Sequence, residues 1–408
     1  MVESGYLTAV QAAEELGISP ATLYAYVSRG MISSRSGPDS RSRRYRAEDV
    51  WSLKRRKRNR RDPDKAAEDA LHWGLPVLQS GLSLISEGRL YYRGHDVIEL
   101  AKQHTVEEVC ALLWAGDLEA SLPDPEPIDL GRDSAVLKRI EAPLTLMEEF
   151  QAHLTIAAAR DAHAYDLRPV GLRRTGLVIL RYLAMVACSG RATKRSIAQV
   201  LQSRWCPGRP EAVELLDAAL VLYADHELNP STFTARCVAS AGATPYGVVS
   251  AGLAALQGSK HGGACERAEA LLREAPHQRG AHQAVSARIR RGEGMPGFGH
   301  PMYSEGDPRG ALLMDLARAR CPDTEGVAIA WALADAVRDL MGEYPTVDFG
   351  LITLCRGLEL PSHAPLALLA LGRTVGWVAH AMEQYEEGRL IRPRARYTGT
   401  LPDDSPDL

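Results

Sequence analysis

Paired cysteines, membrane-length apolar runs and a strong excess of one charge are all missing from this chain of 408 residues. Its seven cysteines are odd in number and scattered, with no C-x-x-C pair, which excludes a disulfide framework and a zinc ribbon and fits reduced thiols in a cytoplasmic protein. The opening MVESGYLTAV carries neither a basic nor an apolar leader region, so no signal peptide is expected. Apolar stretches such as APLALLALG meet Arg373 and His380 well before they could span a bilayer, so no membrane association is expected. A formal net charge of −3 is too small to imply a polyanionic partner for the whole molecule. Aromatic residues make up only 6% of the chain while Ala and Leu abound, which favours helix over sheet.

What is present is the composition of a soluble globular protein, 45% hydrophobic and 24% charged, long enough for two or three units. The first sixty residues stand apart. YLTAVQAAEELGISPATLYAYVSRGMI reads as two short helices around a tight turn: Thr8 as N-cap, Val10, Ala13 and Leu16 on one face, and Gly17 as the stop. Ser19 then caps a second helix with Pro20 at its first position, backed by Leu23, Tyr26 and Val27. A polar wing, SSRSGPDSRSRRYR, follows, and then a basic helix whose run KRRKRNRR, Lys54 to Arg61, places seven cations in eight positions. This order resembles a winged helix-turn-helix of the MerR or excisionase type over residues 1–61, with duplex DNA as the partner it implies. A solvated basic helix serving only as a linker is the plainer alternative.

Residues 62–74 read as a charged linker. Beyond them the chain is helix after helix, with few and short strands. Thr105 and Glu108 have capping-box spacing, and TGLVILRYLAMVACSG and GVAIAWALADAVRDLMG have apolar faces wide enough to be buried.

Four segments combine glycine or capping residues with His, Asp or Arg. ADHELNPSTFTAR carries His226, with Ser231 able to start a helix, and GSKHGGACE carries His261. GFGHPMYSEGDPR carries His300 and Arg309, and YPTVDFG carries Asp348 between apolar neighbours. LGRTVGWVAH adds Arg373, and RLIRPRARYTG adds Arg392, Arg394 and Arg396. Arginines clamp carboxylates bidentately, histidines donate to a carbonyl, and a carboxylate in apolar company acts as a base, so the set reads as a site for a small polyanion. Singly, each histidine reads more readily as a structural hydrogen-bonder than as a catalyst. No pair has H-x-x-H or H-x-x-x-H spacing, which argues against a metal.

HELNPSTFTAR, KHGGACE, GFGH…DPR and VDF, together with the Y-R-G-x-D element at Tyr92 to Asp96, resemble citrate synthase in order and spacing over residues 75 to 405. The resemblance implies an all-α, two-domain fold, with a large domain of residues 75–230 and 342–408 and a small one of 231–341 closing over the substrates. It implies a homodimer that condenses oxaloacetate with acetyl-CoA, or a related acyl-CoA such as propionyl-CoA, with no permanently bound cofactor. By the same likeness Asp348 is the base, His261 binds the thioester carbonyl and His300 the oxaloacetate carbonyl. His226, Arg309 and Arg373 hold its carboxylates, and Arg392 comes from across the dimer interface.

One stretch departs from the family pattern. Where bacterial members read G-F-G-H-R-V-Y-K, this chain has Pro301 for the Arg and Ser304 for the Lys, followed by Glu305. Two cations expected near the phosphates of coenzyme A are gone. Lys260, Arg288, Arg290 or Arg291 could replace them, the thioester partner could differ, or the fold could serve as a carboxylate or acyl-CoA sensor for an attached DNA-binding unit. A two-fold dimer would then match a palindromic operator.

Overall fold

The computed structural model describes residues 6–36, 43–47, 49–51, 53–54, 78–126, 143–190, 194–275 and 277–400. The chain divides into two compact units, Met1–Gln79 and Ser80–Leu408. The linker expected at 62–74 and the basic run after Lys54 lie outside the described residues.

In the first unit strand β1 (Tyr6–Thr8) leads into α1 (Ala9–Leu16), α2 (Pro20–Ser28) and the hairpin of β2 (Ser34–Ser36) and β3 (Arg43–Arg46). The antiparallel sheet has the order β1-β3-β2, and residues 47, 49–51, 53 and 54 are helical. Local chemistry sets the helix limits. Gln11 N–H donates to Thr8 Oγ1 (3.2 Å) while Gln11 Oε1 accepts from Thr8 N–H (2.9 Å), and Gly17 ends α1 in the left-handed region at φ 59°. Ser19 Oγ accepts from Thr22 N–H (3.3 Å), with Pro20 opening α2. Ala12, Ala13, Leu16, Leu23, Ile32, Tyr45 and Val50 form the core. Val10 was expected on that buried face but is 64% exposed, because Ala12 and not Val10 completes the stripe with Ala13 and Leu16.

The second unit begins with a small antiparallel sheet, β4 (Ser83–Ser86), β5 (Arg89–Tyr92) and β6 (His95–Asp96). Helices follow: α3 (Val97–Gln103), α4 (Val106–Ala115), α5 (Leu146–Arg160), α6 (Pro169–Ala187), α7 (Ile197–Trp205), α8 (Ala212–Tyr223), α9 (Pro230–Ser240) and α10 (Pro245–Leu256). The last six are α11 (Gly263–Glu274), α12 (Ala281–Arg290), α13 (Pro308–Arg320), α14 (Glu325–Met341), α15 (Val347–Gly357) and α16 (Ala364–Glu387). The Thr105–Glu108 capping box is present at the start of α4. Among the described residues no helix is long and apolar enough to cross a membrane.

Two apolar cores organise this unit. The larger gathers α3 to α10 around the buried length of α16. The smaller joins Leu271, Val285, Met295, Phe298, Leu333 and Val337 to Phe349 and Ile352 of α15. The division expected at 231 and 341 does not follow these cores. Helices α9 and α10 bury Ala235, Ala239, Tyr246, Val249 and Leu253 in the larger core, and Phe349 and Ile352 reach past 341 into the smaller one. Helices α13 and α15 straddle both, since Leu313, Leu351 and Leu354 enter one core while Met314, Phe349 and Ile352 enter the other. Their first turns therefore open at the junction.

Candidate active site

Arg309 and Asp348 lie in those two first turns. The helices meet through glycine: a Cβ on Gly350 would lie 2.6 Å from the Gly310 carbonyl oxygen, so no side chain fits there. Asp307 caps α13, with Pro308 at the first helical position. Its carboxylate also accepts both Arg309 Nε (3.0 Å) and Arg309 Nη2 (2.8 Å) and the Val347 N–H (3.1 Å). One carboxylate thus fixes the arginine and ties it to the residue before Asp348.

His300 is held from the same side. Residues 297–299 pair with 344–346: Thr346 N–H donates to Gly297 O (2.8 Å) and Gly299 N–H to Tyr344 O (3.0 Å). Gly297 adopts φ 86°, a left-handed conformation, with a would-be Cβ 3.1 Å from Phe349 Cβ. Pro301 then occupies the second position of a turn closed by Tyr303 N–H to His300 O (3.0 Å), where its fixed φ is favourable. The Met302 N–H points back at His300 Nδ1 (3.2 Å), so that nitrogen is an acceptor and the ring proton sits on Nε2.

His226 follows α8 and is buried. The Tyr92 hydroxyl lies between Val221 O (3.1 Å) and Asp225 O (3.0 Å), clamping the β5 end of the Y-R-G-x-D element to the backbone that carries His226. Ser83 Oγ donates to Asp225 and accepts the Glu227 N–H (3.1 Å), and Glu227 adopts φ 51° as the chain turns away. His226 Nε2 meets the Tyr303 hydroxyl at 2.9 Å, and its ring is edge-on to His300 at 5.4 Å between centroids.

His261 precedes α11. Its Nε2 lies 2.9 Å from Ser231 Oγ, which also accepts from Trp377 Nε1 (3.2 Å) and donates to Asn229 Oδ1 (2.8 Å). Ser231 was expected to start a helix. Asn229 does so instead, its Oδ1 accepting from both the Thr232 N–H (3.0 Å) and the Ser231 hydroxyl, with Pro230 next, so the Ser231 oxygen faces His261 as an acceptor. Asp348 Oδ1 accepts from Tyr223 Oη (2.7 Å) and from Cys265 Sγ (3.3 Å). Sequence reasoning passed over Tyr223, Tyr303, Asp307 and Cys265. Only Asp307 left a trace in the letters, as a capping residue before Pro.

The electrostatics follow from burial. Desolvation, then the charges of Arg309 and Arg373, hold His226 well below the ordinary histidine range. Burial and Arg373 push His261 down to about 4, and burial and Arg309 lower His300. All three imidazoles are neutral at pH 7. Asp348 is close enough to raise both His261 and His300, though less than burial lowers them. Arg309 is 2% exposed and Arg373 6% exposed, and each has a buried Nη1 without a hydrogen-bond partner. Burial lowers Arg373, and the neighbouring Arg309 adds to this against the pull of Asp225. Two buried guanidiniums with unused donors are costly unless an anion completes them.

Six of the seven expected residues thus converge: His226, His261, His300, Arg309, Asp348 and Arg373. Arg392 does not join them. It is exposed in the extended segment after α16, which Ile391 N–H anchors to Ser240 Oγ (3.1 Å).

A carboxylate beside neutral imidazoles and a pair of unsatisfied arginines makes a site suited to a small dicarboxylate. The model of the citrate synthase C-terminal domain matches residues 70–394, and that of a helix-turn-helix domain matches residues 6–58. The citrate synthase of Haloferax volcanii is 30% identical over 361 residues, covering 80% of this chain and 94% of that protein. The 2-methylcitrate synthase of Shewanella oneidensis is 28% identical, covering 78% and 91%. The ternary complex of the Thermoplasma acidophilum citrate synthase with carboxymethyl coenzyme A and oxaloacetate superposes with a TM-score of 0.66 at 26% identity, covering 82% of this chain and 97% of that one. The chain belongs to the citrate synthase family.

Proposed function

We propose that this protein condenses oxaloacetate with acetyl-CoA, or with a short relative such as propionyl-CoA, to give citrate or methylcitrate and free CoA. The observation that carries the reading is the pair of buried arginines, each with an unpartnered Nη1, beside three neutral histidines and Asp348. Arg309, Arg373 and His226 would take the two carboxylates of oxaloacetate, and His300 Nε2–H would donate to its ketone. Asp348 removes a proton from the carbon next to the thioester. In the tautomer that carries its proton on Nδ1, His261 donates Nδ1–H to the enolate oxygen while Nε2 accepts the Ser231 hydroxyl, which then turns away from Asn229 Oδ1. One such preorganised donor is worth about 3–4 kcal/mol in a dry site. The enolate carbon forms the new C–C bond at the ketone carbon, whose oxygen takes up a proton. Water then cleaves the thioester, releasing the carboxylate and the thiol. Thiol release dependent on both substrates tests the reading.

The coenzyme A side is weakly charged. A cleft of about 200 Å³ beside His300 is lined by Ser304, Gly306, Tyr344 and neighbours, without a lysine or arginine. Arg288 pairs with Glu274, and Arg291 pairs with Glu293 (2.6 Å), whereas Lys260 and Arg290 are exposed. Ser304→Lys is expected to lower KM for the acyl-CoA about 2- to 5-fold at low salt, as one exposed ion pair would. Its kcat and its KM for oxaloacetate should stay within error. An unchanged KM would place the phosphates elsewhere.

The exposed position of Arg392 fits a homodimer in which this residue serves the neighbouring site, and the seven free thiols fit a cytoplasmic protein.

A second, compatible reading is that the N-terminal unit binds duplex DNA. Arg35 and Arg44 are cross-strand partners on the wing, flanked by Arg43 and Arg46, and α2 is the helix suited to the major groove. Binding to duplex DNA is expected to weaken steeply with salt, and Arg44→Ala should lower the log–log slope by about one. A salt-independent titration would contradict it.

A further inference from the structure

We propose that Tyr223 and Cys265 are positioning residues for the base: both donate to the same oxygen, Asp348 Oδ1, and so present Oδ2 to the substrate proton. The inference rests on Asp348 being the base. Tyr223 ends α8 and Cys265 lies in the first turn of α11, and both are buried. Their donors reach Oδ1 at 2.7 Å and 3.3 Å. The terminal torsion of an aspartate is broad and roughly two-fold, so an unanchored carboxylate offers either oxygen in a range of orientations. Two donors from different helices on one oxygen select a single presentation. An O–H···O⁻ bond is the stronger of the two anchors, being charge-assisted.

The placement also couples the base to the enolate-binding histidine. Cys265 lies four residues after His261, in the first turn of the helix that His261 precedes, so the same stretch of chain carries His261 and a donor to the carboxylate. Tyr223 lies three residues before His226, so the other contact of the base runs to the oxaloacetate side. Burial, and then the charge of Asp348, raise Tyr223 and Cys265 well above their ordinary values, so both remain protonated donors across the working pH range. Shape alone would ask for neither heteroatom: Phe and Ala would pack the same helices.

The test uses the full-length protein with oxaloacetate and either acetyl-CoA or its trideuterated form. Tyr223→Phe is expected to lower kcat about 10- to 100-fold, the scale of a misaligned reacting group, with KM for oxaloacetate changed less than two-fold. The deuterium isotope effect on kcat should rise, because proton transfer becomes more rate-limiting. Cys265→Ala should do the same more weakly, and Cys265→Ser, which keeps a donor, should recover much of that loss. Should Tyr223→Phe fail to fold, the Ala and Ser variants at 265 decide the matter alone. Wild-type kcat and isotope effect in Tyr223→Phe and Cys265→Ala, with Asp348→Asn inactive in the same assay, would overturn the positioning role and leave the base in place. Turnover surviving Asp348→Asn would remove the base reading and this inference with it.

Discussion

Asp348→Asn is expected to lower kcat about 10²- to 10⁴-fold, the range that a positioned general base contributes. The substitution is nearly isosteric, so the fold has little reason to respond. Asp348 stands in the first turn of α15, between apolar residues packed into two different cores, and those contacts do not involve the carboxylate. The amide keeps an oxygen for Tyr223 and Cys265 but has no basic lone pair for the substrate proton. The contacts proposed for oxaloacetate, from Arg309, Arg373, His226 and His300, are untouched, so its dissociation constant should be preserved. Isothermal titration with oxaloacetate alongside steady-state kinetics separates the two effects. A loss of binding as large as the loss of rate would mean that Asp348 supports the site and not the proton transfer.

Arg373→Met is expected to act in opposite directions on function and stability. KM for oxaloacetate should rise about 10- to 100-fold, because a hydrogen bond from a charged donor to a carboxylate is worth about 1.5–3 kcal/mol. Stability of the ligand-free protein should rise by about 1–3 kcal/mol. The reason is that Arg373 sits in the middle of α16, buried, with Nη1 unpaired and the charge of Arg309 nearby. Asp225 keeps partners in Ser83 and His380, the latter at 3.3 Å, so its own charge is not stranded. At a given concentration, added oxaloacetate should stabilise the natural protein more than the variant. Thermal unfolding of both, with and without oxaloacetate, checks this. A destabilised variant would show that Arg373 is a structural cation.

Much of the fold could be read from local signals because those signals are short-range. Thr8, Gly17, Ser19 with Pro20, and Thr105 with Glu108 act within one helical turn, and all operate as their spacing implies. Tertiary packing overrode the readings that failed. Val10 has the right spacing for a buried face, but the small residues Ala12 and Ala13 take the contact with the sheet and Val10 points outward. Ser231 has the right identity for a cap, yet Asn229 lies where a side-chain oxygen meets the Thr232 N–H. The apolar cores do not mark a boundary at 231, because α9 and α10 bury small apolar residues in the same core as α16, more than a hundred residues away in sequence. The site residues were legible as a set because histidine, arginine and glycine in such combinations are rare in structural segments. Their supports were not: Tyr223, Tyr303 and Cys265 are ordinary core residue types, and only the folded chain brings their polar atoms to Asp348 and His226.

Pro301 is now physically accounted for. It sits in the turn that aims the Met302 N–H at His300 Nδ1 and leaves the ring proton on Nε2. The same stretch that carries His300 and Arg309, the residues proposed for oxaloacetate, has Pro301 and Ser304 in place of the two expected cations, which makes the thioester partner the substrate to test first.

The most direct measurement is release of free thiol by the full-length protein, with oxaloacetate and acetyl-CoA or propionyl-CoA. The account predicts thiol release that requires oxaloacetate, with one equivalent of citrate or methylcitrate formed per thiol, and that is lost in Asp348→Asn. No oxaloacetate-dependent thiol release from either thioester, at saturating concentrations, would contradict it.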